Sequence, residues 1–374
     1  MLNLKVIGAG AAGNKAAITL VKEGFPVEDV TLINSTPRDI PDEYKPYSMI
    51  FGGSSETLGG CGKERDIGKK LILRDLKDGK ISLDGIFNPK TNAVIIVSST
   101  EGGTGSAATP ILAKYIKEVV GLPVIVVLLF GFNTDIRGMR NSIEICQELS
   151  DTYGVIGISN AKYLDDVGNN KIKAEQKANE EFANIVNILS GSNIHPGSQN
   201  IDNTDLYKLV TTPGYMCIGN ANVEKVKNID QFNKIINESI DNSKLVDSYE
   251  KGCKRIGIIF DIPTSVSDNV DYGASIFIQR YGIPYEVFTH IQNYNQSGKI
   301  TWIAAGLPMP LKEVQEIYDN YQNTSSSMNR AKDVFFDFTS ELNGNGEDGE
   351  FDVFNRNESK STKTDFFSDF GLNW

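Results

Sequence analysis

The chain is poor in the residues that build metal centres and disulfide frames. Among 374 residues there are two histidines, His195 and His290, which excludes a histidine-rich metal site. The four cysteines, Cys61, Cys146, Cys217 and Cys253, have no paired spacing, so free thiols in a reducing compartment are expected rather than bridges or a zinc ribbon. Long apolar runs are also missing. The longest, Leu122 to Phe132, is well short of the ~20 residues that span a bilayer, and no basic stretch with a cleavable apolar segment is found, so a soluble cytoplasmic protein is expected. Positive charge is in deficit. A formal net charge of −11 argues against direct neutralisation of a nucleic-acid backbone, and any contact with DNA is expected through a partner. The G-x-x-x-x-G-K-[ST] pattern of an ordinary P-loop does not occur.

Glycine, by contrast, is abundant and sits where strands hand over to helices. Ala93 to Val97 is an apolar β-branched run, followed by Glu101-Gly102-Gly103-Thr104-Gly105-Ser106 and then a helical pattern through Ile111, Leu112, Tyr115, Ile116 and Val119. Strand, glycine turn and helix make an anion site: the main chain can approach a ligand closely, and free N–H groups at the helix start favour phosphate oxygens. A bare βα turn would give the same local pattern, so the rest of the chain decides.

Residues 2 to 34 repeat the arrangement. Leu4 to Ile7 lead into Gly8-Ala9-Gly10-Ala11-Ala12-Gly13-Asn14, a helix to Val21 and a strand, Val30 to Ile33, that ends at Asn34. This G-x-G-x-x-G opening a βαβ unit is the dinucleotide fingerprint, but an NAD site calls for an acid where Asn34 stands, which leaves an NADP site served by Arg38 as one reading. A third cluster, Gly59-Gly60-Cys61-Gly62-Lys63-Glu64-Arg65, has no evident use in a dinucleotide enzyme. Three glycine loops fit a triphosphate held from several sides, with Lys63 and Arg65 available to add charge.

Further strands are expected at Leu122 to Leu129 and Val155 to Ser159, the first followed by Asn133, Thr134, Asp135, Arg137 and Arg140, the second by Asn160. Alternating strands and helices over the first 160 residues imply a parallel sheet covered on both faces. A long helix follows over 172–190, with Asn179 in its first half, an amide able to read a purine edge. Beyond it, Asn200, Asp202 and Asp205 lie in a polar loop that either caps the next helix, with Asp202 or Asp205 as the N-cap, or orients a water for attack on phosphorus. A second, α+β layer is expected from strands near Tyr215–Ile218, Arg255–Asp261, Tyr285–Ile291 and Ile300–Ala304, with helices near Ile229–Ile240 and Asp268–Arg280. After Pro310 a helix over Leu311–Tyr321, a break at Asn323–Ser327 and a second helix to Leu342 are expected. The acidic, phenylalanine-bearing end, Phe351 to Trp374, has the composition of a flexible tail that anchors either on a partner or on its own body.

The signature loop Gly102-Gly103-Thr104-Gly105-Ser106, together with Asn200-x-Asp202-x-x-Asp205 behind a long helix, resembles the tubulin/FtsZ superfamily over roughly residues 1 to 310. The resemblance implies a Rossmann-like GTPase domain (1–170), a central helix and catalytic loop (171–206), an activation domain (207–310), C-terminal helices (311–343) and a tail (344–374). It implies GTP or GDP with Mg2+ held by Gly10, Ala11, Ala12, Asn14, Asn34, Gly60, Gly62 and Gly102 to Ser106, ribose near Asp135 or Arg140, and guanine near Asn160 and Asn179. It assigns hydrolysis to Asn200, Asp202 and Asp205 of the next copy in a head-to-tail filament. Glu101, Ala107 and a third loop without its usual ending depart from the cell-division pattern. They draw the chain towards the TubZ-type GTPases, which implies plasmid or phage DNA segregation through a DNA-bound adaptor at the tail. An FtsZ-like cell-division filament is the alternative.

Overall fold

In the computed structural model, residues 1–53, 60–150, 152–246, 250–292 and 294–331 are described. The central strands are buried, mostly apolar runs: β1 (Leu4–Ala9), β4 (Ala93–Ser99), β5 (Val124–Phe130) and β6 (Gly154–Ser159). Such runs lack polar alternation because both faces of the sheet are covered. In β4, Val94 and Ile96 face one core, and Ile95 and Val97 the other. With β2 (Val30–Asn34) and β3 (Ser48–Ile50) these strands are all parallel, as expected from the alternating pattern.

One face carries α1 (Gly10–Lys22) packed beside α5 (Lys171–Ser190). The opposite face carries α2 (Arg65–Lys77), α3 (Gly105–Tyr115) and α4 (Ile136–Leu149). The last turns of α3 widen into a π-helical segment, Ile116–Val120, that ends at Gly121 in a left-handed conformation.

The second half adds α6 (Asn203–Val210), β7 (Gly214–Asn222), α7 (Ile229–Asp241), β8 (Arg255–Asp261), α8 (Ser275–Tyr281), β9 (Glu286–Gln292), β10 (Lys299–Leu307) and α9 (Leu311–Ala331). Its strands do not form a sheet of their own. The order is β3-β2-β1-β4-β5-β6-β7-β10-β8-β9, and β7 joins β6 through Gly154–Gly214 and Val155–Tyr215. β10 runs antiparallel to β7 and β8, so the sheet is mixed with β9 at its outer edge.

Two local expectations are corrected. The helix expected over Asp268–Arg280 is a 3-10 turn at Thr264–Asn269 followed by the short α8. The break expected at Asn323–Ser327 is absent, and α9 runs through it. Neither glycine nor proline lies there, and the Thr324 hydroxyl bonds back to the Asn320 carbonyl at 2.7 Å, which satisfies the residue inside the helix. Val314, buried Ile317 and Tyr321 share the face of α9 that lies along α4. The tail expected over 344–374 and its aromatic anchors lie outside the described residues.

Candidate functional site

Because β1, β2, β4, β5 and β6 are parallel, the loops after them meet at one edge of the sheet. Gly10 has φ of +73°, and a Cβ there would lie 2.7 Å from the Gly105 nitrogen, so the first loop rests directly on the signature loop. Gly103 is equally confined: its Cβ would meet the Lys63 carbonyl carbon at 2.6 Å, which brings the third loop in from the other side. The Ser35 and Thr104 hydroxyls, 2.9 Å apart, add the loop behind β2, and Asn34 turns its amide to the Ser35 N–H at 2.9 Å and to Asp39 at 3.4 Å. Gly10, Ala11, Ala12 and Asn14 at the start of α1, Asn34, and Gly102 to Ser106 therefore meet at one end of the sheet, with Lys63 bringing in the loop that carries Gly60 and Gly62.

Asn14 and Asn160 are both buried, and each has an Oδ1 with no donor among the described residues. Buried amide oxygens rarely go unpaired, so each is a place where a ligand can donate. Asn14 follows the first loop and reaches the Ile33 carbonyl at 3.5 Å; the Asn160 N–H donates to the Phe130 carbonyl at 3.0 Å. Asn179 is half-buried on α5.

The charged candidates have other commitments. Arg65 is buried, its guanidinium fixed by Glu144 and Glu148, each at 2.7 Å, and by the Ser106 carbonyl at 3.0 Å. Rather than offering charge to a ligand, it ties α2 to α3 and α4. Asp135 caps α4 by accepting the Gly138 N–H at 2.8 Å and pairs with Lys63, whose hydrogen bond holds the carboxyl below its usual range. Arg140 pairs with Glu144 at 2.7 Å on the outer side of α4, which raises its pKa further. Asp135 and Arg140 both line a cavity of about 730 Å3 between the third loop, α4 and α9, which is bordered by neither Asn14 nor Asn160.

Glu101 does not point along the signature loop. Its carboxylate lies over Gly131 and accepts the Asn133 N–H at 2.7 Å, which steadies Asn133 at a φ of +52°. No group of three or more His, Cys, Asp or Glu able to hold a metal ion exists among the described residues. Magnesium thus finds no protein cage here, and a hard cation would depend on phosphate oxygens for its ligands.

Asn200, Asp202 and Asp205 stand elsewhere. The Leu2 N–H donates to the Ser190 carbonyl at 2.8 Å, so the end of α5 lies at the start of β1, on the sheet edge opposite Gly10. Asn200 closes its own turn, with Oδ1 accepting the Gly197 N–H at 2.9 Å and Nδ2 donating to the Gly197 carbonyl at 3.1 Å. Asp202 is the N-cap of α6, its carboxylate accepting Thr204 and Asp205 N–H groups at 2.7 and 2.8 Å. Asp205 is half-exposed and its carboxylate takes no hydrogen bond among the described residues.

Several residues escaped the sequence reading. The buried Asn141 amide donates to the carbonyls of Lys63 and Glu101, each at 3.0 Å, clasping the third loop to the signature loop. A polar residue on the core-facing side of amphipathic α4 was the available signal. His290 and Gln292, on β9, hold the loop before α6, and their partners lie some ninety positions away in sequence.

Comparison with known proteins agrees with this architecture. The family model described as "Tubulin/FtsZ family, GTPase domain" matches residues 3–168. The cell division protein FtsZ of Mycoplasmopsis pulmonis is 28% identical over 225 residues, 58% of this chain, and the chain spans about half of that relative's length (55%). A GTPγS-form protofilament of Bacillus thuringiensis serovar israelensis TubZ superposes with a TM-score of 0.71 at 16% identity, covering 88% of this chain and 94% of that one. GDP-bound CetZ1 of Haloferax volcanii gives a TM-score of 0.67 at 20% identity, covering 86% and 100%.

Proposed function

We propose that this chain, whose residues 3–168 form a GTPase domain of the Tubulin/FtsZ family, is a filament-forming GTPase that hydrolyses GTP between successive copies. One observation carries the reading: the glycine loops and the Asn200–Asp205 group occupy opposite edges of one sheet. β1 alone, at six residues, separates them by about 20 Å, so they cannot act on one nucleotide within a single copy. Stacking copies head to tail brings them together, and a heterologous contact of this kind propagates as a filament.

In that arrangement, main-chain N–H groups of Gly10 to Ala12 and Gly102 to Ser106 take the phosphates and steady charge as it develops on the transferred phosphoryl group. The unpaired Oδ1 of Asn160, with Asn179, suits the N1–H and N2–H donors of guanine, and Asn14 lies beneath the first loop. From the adjoining copy, Asp205 has a free carboxylate with which to orient and polarise the attacking water, while Asp202 secures the helix that presents it. A magnesium ion arriving with the nucleotide would be held by phosphate oxygens rather than by side chains and would neutralise their charge.

Sedimentation with GTP, GDP and a non-hydrolysable GTP analogue tests the reading, together with turnover measured against protein concentration. Pelleting with GTP and the analogue but not with GDP, and turnover per molecule that rises with concentration, are the expected results. Concentration-independent turnover by a non-pelleting species would overturn it.

In this reading the proposed cargo is plasmid or phage DNA, carried through an adaptor bound to residues 344–374. The acidic, aromatic composition of that tail and the altered signature loop support this. The cell-division reading is favoured instead by the FtsZ sequence relatives. Deleting 344–374 should leave hydrolysis intact and abolish adaptor capture.

A further inference from the structure

We infer that His290 is a positioning residue for hydrolysis, fixing the loop that carries Asn200, Asp202 and Asp205; this rests on the reading of those residues as the completing half of a neighbour's site. His290 and Gln292 are two apart on β9 and so project to the same side of the strand. The His290 ring is fully buried, and its Nδ1 accepts the Ile201 N–H at 3.2 Å. An accepting Nδ1 leaves the proton on Nε2, which donates to the His195 carbonyl at 2.8 Å. Gln292 complements the ring: Oε1 accepts the His195 N–H at 2.8 Å and Nε2 donates to the Asn193 carbonyl at 3.1 Å. Between them Ile291 pairs with the loop through its main chain, accepting from Ser198 and donating to Gln199, each at 2.9 Å.

Residues 193 to 201 are thus laid along the outer edge of the sheet by three consecutive positions of β9. Only one of these contacts reaches the functional segment. The Ile201 N–H lies between Asn200 and Asp202, and Asp202 begins the cap that sets the direction of α6 and the projection of Asp205. Without the imidazole acceptor, a buried N–H loses its partner and the start of α6 loses one of its two ties among the described residues, leaving the Met1 ammonium on Asn203 Oδ1 at 2.9 Å as the other. The group that must meet a neighbour's nucleotide then shifts, although the nucleotide loops, at the other ends of the parallel strands, do not.

The two ring nitrogens can be separated by substitution. In His290→Asn, Oδ1 takes the place of Nδ1 and keeps the bond to Ile201; in His290→Gln, the amide reaches the Nε2 place, which faces the His195 carbonyl at 2.8 Å and Gln292 Oε1 at 3.0 Å, and loses the bond to Ile201. Full-length protein carrying His290→Asn, His290→Gln, His290→Ala or Asp205→Ala would be compared by titration with a fluorescent GTP analogue, GTP-driven pelleting and turnover per pelleted subunit. The expected result is unchanged nucleotide affinity and pelleting throughout. Turnover should fall roughly tenfold to hundredfold in His290→Gln and His290→Ala, as for an ångström-scale misplacement, and stay near wild type in His290→Asn. Should His290→Ala fail to fold, the Asn and Gln variants give the answer as a pair. Turnover in His290→Gln equal to or above that in His290→Asn, or wild-type turnover in all three, overturns the inference while an inactive Asp205→Ala leaves the site reading standing. Full turnover in Asp205→Ala removes the site reading, and the inference with it.

Discussion

The Leu2 N–H donates to the Ser190 carbonyl at 2.8 Å, and this bond fixes the end of α5 on the sheet edge opposite Gly10. Since α5 is 20 residues long, it spans about 30 Å and separates the loop at 191–202 from the glycine loops.

Asp202, which closes that loop, and Asp205, in the first turn of α6, are therefore expected to behave differently. Asp205→Ala should bind GTP and pellet as wild type but hydrolyse roughly 10²-fold or more slowly, because a free carboxylate is lost from the water's surroundings. Asp202→Ala should also lose about 1 kcal/mol of stability with the cap of α6, whereas Asp202→Asn keeps the cap. Hydrolysis rates and thermal melts of the three variants check this; equal rates in wild type and Asp205→Ala would remove Asp205 from the reaction.

Gly10→Ala tests the contact between the first and signature loops. The substitution forces a side chain into a left-handed conformation and against the Gly105 main chain, so it should destabilise by more than about 1 kcal/mol and abolish nucleotide binding. Gly60→Ala, in the third loop, has no atom of the described residues within 4 Å of its Cβ and should stay within about 0.5 kcal/mol of wild type. Melting and nucleotide titration of both variants separate a packing requirement from a general glycine effect.

The first half was legible because its signals are local. Apolar runs such as Ala93 to Val97, each followed by glycine, predict strand, loop and helix, and the parallel order follows from the alternation. The long α5 was legible from the spacing of Phe182, Ile185, Val186 and Leu189, all now buried. What the local signals leave open depends on distant partners. No local pattern distinguishes a second sheet from strands that continue the first, since the junction is only the pairing of Gly154 and Val155 with Gly214 and Tyr215. Arg65 carries a charge suited to phosphate, and only the fold reveals Glu144 and Glu148 some eighty residues later. A cap at Asp202 or Asp205 was legible from the helix that follows, and the fold places it at Asp202.

Acidification should loosen the third loop before it unfolds the protein. Lys63 holds the Asp135 carboxyl below its usual range, so their pairing contributes stability that is present above the unfolded-state pKa of about 4 and lost as pH falls through the lower folded value. Both side chains are about two-fifths exposed (43% and 41%), which keeps the contribution small. Asp135→Asn should melt slightly below wild type at pH 6, and the gap should close as the pH is lowered below about 4. A gap that widens on acidification would contradict the pairing.

Glu101 is the residue whose charge is least expected beside phosphates. A carboxylate about 4 Å from a phosphate oxygen opposes binding by about 1 kcal/mol in water and about 4 kcal/mol near a protein surface. Its carboxylate is instead turned to the Asn133 N–H, over Gly131, so its main chain can serve the loop while its charge faces away. Glu101→Gln keeps the acceptor and removes the charge; nucleotide affinity should change by less than about threefold, as for a screened charge. Glu101→Ala leaves Asn133 without its acceptor and should destabilise by about 1 kcal/mol, the lower end for a half-exposed N–H. Affinity measured by titration at two salt concentrations decides the matter. A gain of more than about tenfold in Glu101→Gln, shrinking as salt is raised, would mean that the carboxylate faces the nucleotide after all.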